Sequence, residues 1–333
     1  MPRSDTMPHE GVELSRFREP EELVRAIPGV VFQATPLRAD PFDVSLTTIG
    51  LGDMSLQTGR ATPHLAFARA VPGTGVLQLP LENADTLLLN GQPARPRTLG
   101  LYGGGAELIR SNPRDSSHAV LVLPMDKAEV LLCPGSASPL LHPGAQALLE
   151  ASAQAWDQAV GIVRSAAATA ARAPRTFDAE PPREALRDAL LQAMRDLLTG
   201  ARDAGPSGDR YRPRAWRRIV VGADEYLRAN MARPVYTEEL CAALGTSASS
   251  LAEAYRATFG LSPHRFLKLR RLVMVRSMLR SQEGPAPLVK SVALSHGFWH
   301  LSQFAIDYRA LYGEMPSETL ARARGTATPG GLG

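Results

Sequence analysis

Two stretches in the last third of the chain follow one plan: TEELCAALGTSASSLAEAYRATFGLSP, residues 237–263, and LVKSVALSHGFWHLSQFAIDYRALYGEMP, residues 288–316. Each reads as a short apolar helix, a glycine turn, a second helix with an apolar and aromatic stripe, and then an aromatic residue followed by Gly-x-x-Pro, at Phe259-Gly260 and Tyr312-Gly313. Glycine at the turn reaches positive φ without a Cβ clash, so the paired helices can pack at the helix-turn-helix angle and the second can project from the body of the domain. By helical phase Leu251, Ala254 and Tyr255 in the first copy, and Phe304, Tyr308 and Leu311 in the second, face the core. The opposite faces are left free to enter a major groove.

The groove-facing set is then Ser249, Ser250, Ala252, Glu253 and Arg256 in the first reader and His300, Leu301, Ser302, Gln303 and Ala305 in the second. Arg256 suits guanine or phosphate, Glu253 the amino group of cytosine, Gln303 adenine and Leu301 a thymine methyl. Backbone positioning falls to Arg265, Lys268, Arg270, Lys290 and Arg309. For each there is a plainer reading: a solvated surface charge, a Glu253–Arg256 pair, or Leu301 in the core. Thr237 is placed to cap its helix, with Glu238 and Glu239 in the first turn. Ser247 caps the next, and Ser262 with Pro263 opens a long helix through Arg280. Joined by that helix, two readers can occupy major-groove segments about 34 Å apart on one side of a duplex.

Charge agrees with this. Residues 209–324 carry 18 Lys and Arg against 10 Asp and Glu, a net of +8 in a chain whose net charge is +4, so the remainder carries −4. A basic C-terminal third on a mildly acidic remainder is the distribution of a polyanion-binding module attached to something with another task.

From Pro28 to Leu132 the pattern is short, alternating and turn-rich (FDVSLTTIGLG, HLAFARAV, GVLQLPL, HAVLVLP), which indicates strands in a sandwich or barrel. A short helix, REPEELVRAI, precedes it, and the Gly-rich LYGGGAEL is read as a loop between strands. From His142 to Arg172 the apolar period becomes helical (Leu149, Ala153, Trp156, Ala159, Val160, Val163, Ala167, Ala170), and a second stripe runs Leu186, Leu190, Met194, Leu197. These helices are either core or a dimerisation surface. The expected fold class is α+β in two domains. An all-β sensing domain spans residues 1–135, with a helical appendage over 136–200 read as dimerising; a linker covers 201–213, an all-α domain with two helix-turn-helix units 214–325 and a flexible tail 326–333.

Cys133 and Cys241 fit neither a metal spacing nor a disulfide framework, no apolar run approaches twenty residues, and Met1 to Glu10 is polar, which points to a cytoplasmic protein with no membrane role. His64 and His118 lack the paired His-x-His and following Glu of a metal cupin, and neither a G-x-S-x-G nor a phosphate-loop pattern is present, so no metal, cofactor or catalytic residue is assigned. Trp156, Trp216 and Trp299 are read as core rather than as base-stacking groups.

SSLAEAYRATFGLSPHRFLKLRRLVMVRSML and SVALSHGFWHLSQFAIDYRALYGEMPSE, with Gly297-Phe298, resemble the two signature stretches of the AraC/XylS family of bacterial transcription regulators. The resemblance covers residues 219–323. It implies two helix-turn-helix units on a connecting helix, an N-terminal cupin-like β-barrel that takes a small-molecule effector, and helices that form a homodimer. Where many relatives carry a basic residue in the second reading helix this chain has Ile306, and Met315 stands where Ser is common before the final proline. The function expected is a double-stranded-DNA-binding regulator, an activator that meets RNA polymerase. The alternatives are a cupin-type enzyme with an accessory basic domain, and a regulator whose N-terminal domain only oligomerises.

Overall fold

The structure, a computed structural model, describes residues 10–25, 29–38, 42–132, 142–203, 213–230, 233–281 and 287–325. The first nine residues, Cys133, most of the expected linker and the expected tail lie outside these. The chain divides into two compact units, residues 1–34 with 42–211 and residues 35–41 with 212–333.

In the first unit the turn-rich segment forms β1 (Gly11–Phe17), β2 (Val30–Pro36), β3 (Val44–Gly50), β4 (Ser55–Ala61), β5 (His64–Ala70), β6 (Thr74–Glu82), β7 (Leu88–Leu89), β8 (Gln92–Pro93), β9 (Thr98–Gly103), β10 (Glu107–Asn112) and β11 (Ser116–Pro124). The helical part supplies α1 (Met125–Leu132), α2 (Ala153–Arg172) and α3 (Glu180–Leu198), with β12 (Gln146–Glu150) and β13 (Arg202–Asp203) before and after. The strands make two antiparallel sheets, ordered β1-β3-β4-β11-β6-β9-β12-β13 and β2-β5-β10-β7-β8. Among the described strands the ladders do not join, so the expected barrel is a pair of packed sheets. The second sheet ends in the two-residue strands β7 and β8, too short to carry a closing ladder. LYGGGAEL does connect two strands, β9 and β10, while REPEELVRAI forms a 3-10 turn over Pro20–Arg25 rather than an α-helix.

The larger sheet is covered on both faces, which is why its central strands read as nearly continuous apolar runs. Leu77, Leu79, Leu99, Leu101, Ala119 and Leu121 pack against Ala159 and Val163 of α2 and Leu190, Met194 and Leu197 of α3 in one core. Val76, Tyr102 and Val122, one residue out of phase, meet Ala70 and Ala106 on the other side. The stripe on α2 and α3 is buried on its own sheet, in agreement with the core reading of those helices. One expectation changes here. The helical reading of Leu149 gives way to β12, which pairs with β9 from Gln146↔Tyr102 to Glu150↔Thr98; a short partly buried strand and a helix stripe look alike over five residues.

From residue 213 on, the described elements of the second unit are helices: α4 (Pro213–Ala229), α5 (Thr237–Leu244), α6 (Ala248–Phe259), α7 (Pro263–Arg280), α8 (Val289–Ser295), α9 (Leu301–Tyr312) and α10 (Pro316–Ala323). Ser247 and Ser262 cap α6 and α7 through the backbone N–H groups of Ser250 and Arg265. Thr237 does not cap; it is the first residue of α5, and the N-cap Tyr236 makes no side-chain cap bond. The expected inner-face residues are all buried, Leu251, Ala254, Tyr255, Phe304, Tyr308 and Leu311 among them. Tyr255, Phe259 and Phe266 form one aromatic cluster, with ring centroids 4.8 to 5.3 Å apart, a geometry that adds to plain burial.

Both helix-turn-helix glycines have positive φ, 58° at Gly245 and 77° at Gly297. A Cβ at Gly245 would meet nothing within 4 Å, whereas at Gly297 it would lie 2.5 Å from the Tyr236 hydroxyl oxygen and 3.1 Å from Arg271 Nη1. Gly245→Ala is expected to cost about 1 kcal/mol, the left-handed backbone alone. Gly297→Ala should cost roughly 2 kcal/mol more, because crowding of this kind adds to the backbone strain. Thermal unfolding midpoints of the two variants check this, and equal losses would remove the close-approach argument.

Candidate nucleic-acid interface

Charged side chains inside the domain tie α7 to α4 beside the first paired-helix unit, α5–α6, and to α9 and the turn after it in the second, α8–α9. On the first unit, Asp224 of α4 is buried and accepts from Arg270 of α7 at 3.3 Å and from Arg228. Burial lowers the Arg270 pKa, and Asp224 works against that shift. Tyr226 of α4 donates to Glu239 of α5 at 2.7 Å, and Arg233 binds the same carboxylate. Those two contacts, Arg233 first, hold Glu239 down to about 2.

On the second unit, Arg276 of α7 donates to Glu314 at 2.8 Å with both groups buried, and Glu314 also accepts from the Thr319 hydroxyl at 2.6 Å. The Thr319 hydroxyl in turn lies 2.8 Å from that of Tyr308. Burial pushes the Tyr308 phenol up to about 12, so it stays protonated in this network. Arg276 also lies over the Tyr312 ring at 4.3 Å. Lys268 of α7 holds Asp307 of α9 at 3.0 Å.

Arg271 joins the two units. Its guanidinium sits 5.5 Å from the ring centroid of Tyr236, at the start of α5, and 5.1 Å from that of Phe298, just past the second turn. Nη1 donates to the Gly297 carbonyl at 3.3 Å. One side chain on the connecting helix therefore touches both helix-turn-helix units.

The outer face of α6 presents Ser249, Glu253 and Arg256 to solvent, with Ser250 and Ala252 half-buried. No ion pair joins Glu253 to Arg256 among the described residues. The hydroxyls of Ser249 and Ser250 each lie 2.9 Å from that of Ser247, so the start of α6 is a row of three serines. The outer face of α9 presents His300, Ser302, Gln303 and Arg309, with Leu301 and Ala305 half-buried. Gln303 donates to Asp307 at 3.3 Å, which holds its amide along the helix. Leu301 packs against the core of the second unit, which limits what it can offer a groove.

Two of the expected phosphate-contacting residues are turned inward. Arg270 is largely buried against Asp224, and Lys268 is half-buried on Asp307; both brace helices, and helical phase could not show this because their partners come from distant elements. Arg265 and Lys290 are exposed. Trp156 and Trp216 are half-buried, but the core expectation fails at Trp299, which is 70% exposed, and Ile306 is 61% exposed on the same outer face as Gln303. The interruption of the α9 stripe at Ile306, between Phe304 and Tyr308, was the available signal that an apolar residue faces outward there.

Residues 240–322 match the family model described as a helix-turn-helix domain. The XylDLEGF operon transcriptional activator of Pseudomonas putida is 29% identical over 100 residues, covering 30% of this chain and 31% of that one. The chain thus spans about a third of the length of this relative. The crystal structure of a probable AraC family transcriptional regulator from Rhodopseudomonas palustris is 41% identical over 32% of this chain and 96% of its own, with a TM-score of 0.29. That of the AraC-like transcriptional activator CuxR is 15% identical over 84% and 98%, with a TM-score of 0.38.

Arg271→Ala is expected to lower the unfolding free energy by about 2 kcal/mol, through loss of two ring contacts and one carbonyl bond. Arg271→Lys should recover less than half of it, since an ammonium cannot lie flat on two rings and reach the carbonyl at once. Urea unfolding of the three proteins decides; a lysine variant as stable as the parent would dismiss the stacking geometry.

Proposed function

We propose that the chain is a sequence-specific DNA-binding regulator of the AraC/XylS type, supported by the match of residues 240–322 to a helix-turn-helix domain and by the 29% identity over 100 residues with a transcriptional activator. It activates transcription in response to a small molecule taken up by its N-terminal unit. The observation that carries this is the repeated division of α6 and α9 into an inner face committed to the core and an outer face left largely open by the described residues. Each outer face is a row of side chains of a size and polarity suited to base edges, on helices of the kind that enter a major groove. The activator sign follows the name of the Pseudomonas putida relative.

On this reading Ser249, Ser250, Ala252, Glu253 and Arg256 of α6, and His300, Leu301, Ser302, Gln303 and Ala305 of α9, address the bases, with Ile306 and Trp299 adding apolar surface beside them. Arg265, Lys290 and Arg309 contact phosphates, while Lys268 and Arg270 keep the readers in place. The protein works in the cytoplasm as a homodimer on double-stranded DNA and meets RNA polymerase there. No described helix is long and apolar enough to cross a membrane. Effector binding and DNA binding are coupled by a free energy that each exerts on the other.

Footprinting of the purified chain on the DNA beside its own gene, with and without small molecules, tests the reading; no protected segment under any condition would end it. Arg256→Ala and Gln303→Ala are expected to weaken the cognate site by about 1 to 3 kcal/mol each and leave random DNA nearly unchanged. Lys290→Ala should weaken all DNA alike and reduce the slope of log affinity against log salt by roughly one. Salt titrations on cognate and random duplexes separate the two classes.

A further inference from the structure

The space between the two sheets holds a cavity of about 50 Å3, where one water needs only roughly 10 to 15 Å3. Its walls are mostly apolar, with small side chains at Ala66, Ala68, Ala70 and Ala106. One charge enters it: Arg110 of β10, only 5% exposed. None of the residues lining the cavity is acidic, although a buried guanidinium is ordinarily paired with a carboxylate.

Arg110 is held from behind by a neutral ring. His64 Nδ1 donates to the Thr62 carbonyl at 2.7 Å, so Nε2 keeps its lone pair and accepts from Arg110 Nη2 at 3.1 Å. Burial and Arg110 together lower His64 to about 3, and burial lowers Arg110 itself to about 10, so near neutral pH the ring is uncharged and the guanidinium is charged. Besides His64 the guanidinium meets the Phe32 ring, with its centroid 5.9 Å away, but its Nε, the Tyr102 hydroxyl, His118 Nδ1 and Gln78 Oε1 are buried without a hydrogen-bond partner, and all four residues line the cavity. Two of these atoms, Arg110 Nε and the Tyr102 hydroxyl, are donors facing a positively charged, otherwise oily space.

We propose that this cavity is the effector site and that the effector is a small organic monocarboxylate, its carboxylate on Arg110 and Tyr102 and its hydrocarbon part along the alanine-lined wall. The fork of a guanidinium fits the two oxygens of a carboxylate, and the apolar walls reward a hydrocarbon body that an inorganic anion lacks. The free volume limits the ligand to a short chain or a single ring. This rests on the reading above that the N-terminal unit takes up a small molecule.

The test is titration calorimetry on the full chain, without DNA, against the straight-chain acids from acetate to octanoate, the primary amides of the same lengths, and inorganic phosphate. The acids are expected to bind with affinity that rises with length and then falls where the cavity is full. The amides should bind at least tenfold more weakly and phosphate not at all. Arg110→Met, which keeps the length but removes the charge, should lose the preference for acid over amide while melting no lower than the parent, since a buried unpaired charge does not hold the fold together. Tyr102→Phe should weaken the acids alone.

Amides binding as tightly as acids, phosphate alone binding, no acid binding, or an Arg110→Met variant that still prefers acids would each overturn the proposal. So would an Arg110→Met chain that fails to fold, because Arg110 would then be structural. A footprint that persists while calorimetry is blank leaves DNA binding standing and removes only the ligand. Calorimetry that succeeds while no footprint is found does the reverse.

Discussion

Arg271 sets the constraint on which the C-terminal unit turns. A pair of helix-turn-helix modules is useful only if the angle between them is fixed, and a single connecting helix fixes one end of each module but not its roll. The contacts of Arg271 with Tyr236, Phe298 and the Gly297 carbonyl supply the missing restraint, and Gly297 is the residue that makes room for it. The buried Arg276–Glu314 pair and the largely buried Arg270–Asp224 pair then hold α7 to the turn after α9 and to α4. Such pairs add less to net stability than their geometry suggests, because both ions are desolvated, but breaking either one leaves a buried charge.

Much of this unit was legible in the sequence because its signals are local. Positive-φ glycines, serine caps at Ser247 and Ser262, and apolar residues spaced by three and four all act within one turn of helix, so reading them along the chain recovered the helices and their inner faces. What failed was non-local. Nothing around Lys268 or Arg270 reveals that Asp307 and Asp224 lie opposite, 39 and 46 residues away. A tryptophan beside an apolar helix is usually core, yet Trp299 sits exposed just before α9.

The sheet unit was legible as strands but not as an arrangement. Alternation marks strands between residues 28 and 132 but not β1, β12 or β13, and open sheets and a closed barrel differ only in which edges pair, which is decided by residues distant in sequence. β12 was hidden for a related reason: it belongs to the sheet although it follows α1 and immediately precedes α2. Arg110 left a trace that could have been followed. It stands two residues from Leu108 on a strand whose alternate positions line the cavity, and an arginine at an inward position among apolar neighbours demands a partner.

The separation of inner from outer face on α6 and α9 bears on how such a protein changes over generations. Ser249, Glu253, Arg256, Ser302 and Gln303 touch little of the domain that holds them, so exchanging them for other residues leaves folding almost indifferent. Leu251, Tyr255, Phe304 and Tyr308 have no such freedom. On the proposed function, a lineage can therefore change its target by drift at a handful of solvent-facing positions, while the scaffold carrying them stays recognisable long after the target has moved.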